Sequence, residues 1–320
     1  MKKKKKILSC FLALFVAVMT VLPGFNANAY GTTSNVTGYA PGGWKIHHTD
    51  GHIQTNPPGM IYMDADTGEW LFCVEPHTNK VGGAHNNRTD LASYLGDASL
   101  AKRLSLIAYY STHSSWENDG WAVGQSMIWQ LLTQRAGESG EQYVITPNIP
   151  DRTTLQNYYN AVNAKVDAYL SYPSFDGSTV TVEAGKSITV TDTKGVLSSM
   201  RVRANSNTID VTQNGNQVTI TAKGTGASSG TIRFYKPLEN GIEGQNFVYT
   251  DSELQDLMTC NYYDPLYATL NINVTPATTS MTFSKQDLTT GAELPGAKLQ
   301  VTDEAGTVID RWTSTDQPHQ

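Results

Sequence analysis

Cysteine is scarce. The 320 residues contain three, and one of these, Cys10, lies inside an apolar amino-terminal run, so the dense disulfide framework that staples small secreted domains is excluded. Strong positive charge is lacking as well. Five of the 23 basic residues occupy positions 2–6 and all 29 acidic residues lie beyond position 29, which leaves the rest of the chain at a formal charge of minus 11 and argues against nucleic acid or an anionic lipid surface as partner. There is one long apolar run. It spans residues 7–22 behind the lysines and is followed by Pro23-Gly24 and by Ala27-Asn28-Ala29, so residues 1–29 read as a secretory signal cleaved before Tyr30, with everything after it outside the cell. Cys10 leaves with the signal. Cys73 and Cys260 remain.

What is present after the signal is too long for one ordinary core, and two domains plus a fragment fit the usual domain size. Residues 30–175 are aromatic-rich and mixed in period. MIYMDADTGEWLFCV alternates on both sides of Asp66-Thr67-Gly68, which predicts a hairpin whose second strand carries Cys73. Helical patterns follow at about 100–111, 120–134 and 154–170. Beyond Pro173 they stop. STVTVEAGKSITVTD, NTIDVTQNGNQVTITAKG, GTIRFYKP and LYATLNINVTP are Thr- and Val-rich strand patterns, two of them joined at Asn214-Gly215-Asn216, and they predict an all-β, immunoglobulin-like sandwich over 176–276. Residues 277–320 read as strand, turn, strand, with turns at Thr290-Gly291 and Ala305-Gly306, and stop in mid-pattern. The expectation is the start of a further β domain in a longer protein.

Three readings of Cys73 are open. A secreted chain with two cysteines commonly pairs them, but Cys73 and Cys260 fall in segments assigned to different domains, and a disulfide needs Cα atoms about 4.4 to 6.8 Å apart. A hydrolase or transpeptidase nucleophile would need a base, for which His77, His85 and His113 are available. That arrangement usually sets its cysteine at a helix N-terminus, whereas Cys73 lies on a strand. The third reading comes from DGWAVGQSMIWQLLTQ. Around Gln125 the helical neighbours Trp121, Ala122, Ile128, Trp129 and Leu132 are all apolar, so an uncharged amide projects from the most hydrophobic stripe of the segment. Such an amide is either a core glutamine satisfied by backbone or the acyl partner of a cysteine. In the second case thiol attack expels ammonia and leaves an internal thioester, which an apolar surround would keep dry.

With Phe72-Cys73-Val74 on a strand and Gln125-Ser126-Met127-Ile128-Trp129 on a helix, residues 40–172 resemble the thioester domains of Gram-positive surface adhesins. The resemblance implies an α+β thioester domain over 30–175 in which Cys73 and Gln125 are cross-linked. It further implies a cell-surface adhesin, not an enzyme, that captures a lysine amine or other nucleophile of a host or neighbouring-cell surface protein, with a cell-wall anchor beyond residue 320. Gly124 stands where the family has Thr, and Met127 where it has Ala. A literal Thr-Gln-x-Ala string occurs at Thr133-Gln134-Arg135-Ala136, but Gln134 has Gln130 and Glu138 one turn away on either side and points to a polar face. The carboxyl-terminal segment resembles the prealbumin-like pilin and collagen-adhesin repeats that form Lys-Asn isopeptide bonds, through Phe283-Ser284-Lys285-Gln286-Asp287, Leu294-Pro295-Gly296-Ala297 and residues 308–312. That likeness implies Lys285 as the reactive lysine on a first strand, its asparagine and acid lying on later strands.

Other groups are weaker. His47, His48 and His52 lack the Cys or carboxylate that would complete a zinc spacing, and Asp64-x-Asp66-x-Gly68 lacks the glutamate that would end a calcium loop. No cofactor or metal is implied. Trp116 and Trp121 either line a sugar-binding surface or cover the bond.

Overall fold

The computed structural model describes residues 34–39, 41–57, 61–78, 83–204 and 207–320. Residues 1–29, expected to be a secretory signal, lie outside the described residues. In chain order the elements begin with β1 (Ser34–Tyr39), β2 (Lys45–His47), β3 (Ile53–Thr55), β4 (Ile61–Asp64), β5 (Trp70–Cys73), β6 (Gly83–His85) and β7 (Asn87–Asp90). Helices α1 (Leu91–Leu95), α2 (Ala98–Thr112) and α3 (Asn118–Arg135), strand β8 (Tyr143–Ile145) and helix α4 (Arg152–Leu170) follow. Then come β9 (Thr179–Glu183), β10 (Ser187–Thr191), β11 (Arg201–Ala204), β12 (Ile209–Asn214), β13 (Gln217–Ala222) and β14 (Ser228–Lys236). The chain ends with β15 (Ile242–Glu243), β16 (Phe247–Thr250), β17 (Leu257–Met258), β18 (Tyr262–Tyr263), β19 (Leu266–Thr275), β20 (Lys298–Thr302) and β21 (Val308–Thr313).

Two compact units divide these elements, and their limits are not the expected ones. The first comprises Met1–Ser174, Lys194–Arg201 and Phe234–Ala268, and the second the remainder. A sheet of order β6-β1-β4-β5-β17-β16-β7 forms the floor of the first unit. The predicted hairpin is present: β4 and β5 pair antiparallel, and the Asp64 carboxylate accepts from the N–H groups of Asp66 and Thr67 to hold the turn. On its other edge β5 pairs with β17, Leu257 opposite Cys73 and Met258 opposite Phe72, while β16 joins β17 to β7. The expected 176–276 sandwich is therefore corrected, because 247–258 returns to the first unit. The physical reason is that a buried strand such as β5 needs partners for its backbone groups on both edges, and β4 supplies only one.

Helices α2, α3 and α4 form within a few residues of the predicted spans. Asp97 caps α2 by accepting from Ser99 and Leu100 N–H groups, and Asp151 caps α4 by accepting from Thr154. At the other end of α4, the buried Lys236 ammonium donates to the carbonyls of Ala168, Tyr169 and Ser171, where a cation meets the negative end of the helix dipole. Helix α3 is buried continuously from Gly120 to Trp129, as expected of a helix with neighbours all round; it packs on α2, β5 and β8. Two glycines permit this. A Cβ at Gly120 would lie 2.3 Å from the Ser111 carbonyl oxygen, and one at Gly124 would lie 2.2 Å from Ser111 Oγ and 2.9 Å from Phe72.

The second unit has the predicted strand-rich character. Sheets of order β10-β13-β12 and β11-β14-β19-β9 bury Val218, Ile220 and Ala222 from the one and Ile232, Leu270, Ile272 and Val274 from the other. Residues 277–320 are grouped with this unit, not apart from it. The β20–β21 hairpin turns at Gly306, with φ +83°.

Candidate functional site

Cys73 ends β5 and Gln125 sits midway along α3, and the packing of α3 on that strand brings them together. Both are wholly buried. Cys73 N–H donates to Gln125 Oε1 at 2.7 Å, and Gln125 Nε2 donates to the Cys73 carbonyl oxygen at 2.9 Å. The carboxamide is thus laid along the main chain of the cysteine, its oxygen polarised by one N–H and its nitrogen held by one carbonyl. The thiol donates to Glu75 O at 3.1 Å, and Glu75 N–H approaches the sulfur at 3.3 Å.

Position along the helix is fixed by polar locks as well as by packing. Ser126 Oγ donates to Ala122 O at 2.6 Å and accepts from Val144 N–H at 2.9 Å, tying α3 to β8. Trp121 Nε1 donates to Leu71 O at 2.9 Å. Its ring stacks on Phe72 at 5.8 Å and Trp44 at 6.4 Å and meets Tyr62 edge-on at 5.9 Å. These rings make an aromatic wall on the Cys73 strand. Trp116 lines a cleft of about 460 Å³ at the start of α3, together with Trp44 of that wall, Asn118, Asp119 and Tyr158.

Burial pushes the Cys73 thiol up to about 12; Trp129 and the Glu75 backbone lower it, while the charges of Glu75 and Asp256 raise it further. The thiol is neutral at physiological pH. None of the three candidate bases is bonded to it. His77 pairs with Glu138 at 2.8 Å, His85 Nε2 meets Gln255 O at 2.8 Å, and His113 Nδ1 meets Tyr109 O at 3.0 Å.

Cys260 is a second buried free thiol. It lies in the first unit, which corrects the expectation that it belongs to a different domain from Cys73. The two are nevertheless not paired. Cys260 lies two residues beyond the end of β17, whose Leu257 and Met258 are the residues paired with Cys73 and Phe72. Glu69 Oε1 accepts from the N–H groups of Cys260 and Asn261, both at 2.8 Å. Burial first, and the Glu69 carboxylate second, push that thiol upward.

Gln134, of the literal Thr-Gln-x-Ala string, is exposed. Lys285 is half-buried in the second unit, with its N–H donating to Glu293 Oε2 at 3.1 Å and its carbonyl accepting from Leu294 N–H. It lies between isolated bridges at Phe283 and Gln286, not on the strand expected for it, because the described residues supply only single-residue pairings there. Sequence reasoning missed Ser111, Glu69 and Gln255. The Gly120-x-x-x-Gly124 spacing signals the close approach at Ser111, while Glu69 and Gln255 have no local signal, since their partners lie far away in sequence.

No family model matches the chain, and no curated protein matches it. Among solved structures, the thioester domain of the Staphylococcus aureus TIE protein superposes with a TM-score of 0.56 at 18% identity, covering 76% of this chain and 98% of that one. The fold is that of a thioester domain. A cysteine protease inhibitor, EhICP2, from Entamoeba histolytica aligns at a TM-score of 0.19 and 11% identity over 31% of this chain and 86% of that one, too slight a likeness to bear on either unit. Within the thioester-domain fold, Gly124 has a local explanation: Ser111 Oγ fills the space that a larger residue would need.

Proposed function

We propose that Cys73 and Gln125 form an internal thioester and that the protein is a cell-surface adhesin capturing a nucleophile through it. The observation that carries this reading is the pair of hydrogen bonds laying the Gln125 amide along the Cys73 main chain in a buried site. In formation, Sγ attacks Gln125 Cδ and the charge developing on Oε1 is held by the Cys73 N–H, as an oxyanion donor does. The C–N bond breaks, and Nε2 leaves as ammonia, taking the thiol proton. Nothing charged is left behind, which suits a site whose burial disfavours thiolate. In capture, an amine attacks the same carbon, the C–S bond breaks, and the amine's proton passes to sulfur. The products are a secondary amide and a buried neutral thiol.

The event occurs once per molecule, so the protein is not an enzyme. The partner we favour is a host or neighbouring-cell surface protein presenting a lysine amine, and the advantage of an amide is that it does not dissociate under load as a non-covalent contact does. The export signal and a wall anchor in a longer chain complete this picture, with Lys285 as the lysine of a second, isopeptide cross-link. A cysteine hydrolase fits less well, because the thiol is pushed up to about 12 and no histidine is bonded to it. Intact mass tests the reading. The purified protein should be lighter than its sequence by one ammonia, and methylamine should add its own mass at Gln125. A wild type of unmodified mass from the start would refute the thioester.

A further inference from the structure

Trp129 lies one helical turn after Gln125, on the same face of α3. Its side chain is 3% exposed, and its Nε1 is a buried donor with no hydrogen-bond partner. Trp121, one turn before Gln125, spends its indole N–H on Leu71 O. The two tryptophans therefore bracket the amide, and only Trp129 holds its donor in reserve. A buried N–H is normally paired, so the exception invites a use. The Trp129 indole is near enough to the Cys73 thiol to act on its acidity, while the contact falls short of hydrogen-bond geometry. A neutral thiol sulfur is a weak acceptor, and only a charged one draws such a donor strongly.

We propose that Trp129 Nε1–H is the donor that receives sulfur when the Cys73–Gln125 bond opens. This rests on the thioester reading above. At the moment an amine displaces sulfur, the C–S electron pair moves onto Sγ, in a site with little solvent to stabilise it. The Cys73 N–H serves the acyl oxygen and Trp129 serves the sulfur, until the proton from the attacking amine neutralises the thiolate. By microscopic reversibility the same donor assists Sγ when it attacks the Gln125 amide. Glu75 and Asp256, the acidic neighbours of Cys73, oppose charge on sulfur, which makes a dedicated donor more necessary.

Trp129→Phe keeps an aromatic plane and removes the N–H. The variant should fold, carry the ammonia deficit, and open with methylamine about ten- to a hundredfold more slowly than wild type, followed by intact mass against time. Opening at the wild-type rate would overturn the proposal. Should Trp129→Phe fail to form the thioester, the comparison moves to a Gln125→Ala, Cys260→Ala background, where Cys73 is a permanent free thiol. Alkylation by iodoacetamide at fixed alkaline pH should then be slower without the indole N–H, and equal rates would overturn the proposal. A wild type without the deficit would instead remove the thioester reading, whatever Trp129→Phe does.

Discussion

The two buried thiols of the first unit both have acidic neighbours but differ in what else they meet. Cys73 is met by a neutral carboxamide, an unengaged indole N–H and a wall of rings, whereas Cys260 is held against the Glu69 carboxylate. Burial raises the pKa of both. The difference teaches that depth alone makes a thiol inert, and on the proposed reading it is the carboxamide laid along the adjacent main chain that would give one of them chemistry. Glu69 has a structural task, accepting from two N–H groups where the chain leaves β17.

Exchange of roles is the strongest test of that contrast. Gln125→Ala should abolish the ammonia deficit and the methylamine adduct completely, and Cys260→Ala should leave both intact in the mass spectrum; the reverse pattern would assign the wrong sulfur. Next in size is the pH behaviour of the opened protein. With a thiol pKa of about 12 against about 8.5 for an ordinary cysteine, the thiolate fraction of Cys73 at pH 8 should be on the order of a thousandfold lower. Native alkylation should thus be slow, climb with pH up to that pKa, and become fast at once in denaturant. A rate at pH 8 equal to that of an exposed thiol would show that the site is wet.

Smaller effects concern stability. Glu69→Ala strips the acceptor from two N–H groups and should cost about 3 kcal/mol in urea unfolding, while folded molecules keep the ammonia deficit. Gly124→Thr forces a side chain onto Ser111 and Phe72 and should cost about 2 kcal/mol. Adding Ser111→Gly should restore part of it, a coupling that a double-mutant cycle would read. Lys285→Ala should leave the deficit of this chain unchanged and alter stability by less than about 0.5 kcal/mol. A lost deficit would tie Lys285 to the first unit's chemistry.

Local patterns were legible and distant ones were not. The hairpin carrying Cys73, the three long helices and the apolar stripe around Gln125 all follow from period and turn chemistry within short windows. Nothing local announces that Leu257 and Met258 pair with Cys73 and Phe72: a two-residue strand has no measurable period, and its partner is far away in sequence. The same blindness placed Cys260 in a spacer. Lys236 reads as a strand lysine on sequence alone, and only the three carbonyls at the end of α4 explain why it is buried.

For a chain exported as proposed, the insertion of β17 beside β5 has a consequence for the order of events. A chain that leaves the cell amino end first delivers Cys73 and Gln125 early, but β5 keeps one open edge until 247–258 has also emerged. Until then Tyr249, Leu257 and Met258, all buried in the finished unit, are absent from the core, and the open edge invites pairing with other chains. A fragment cut after α4 would be frozen in that incomplete state. The first unit is complete only with Phe234–Ala268 in place, so on the thioester reading the bond would mature with the arrival of a late segment and not with the two residues that make it.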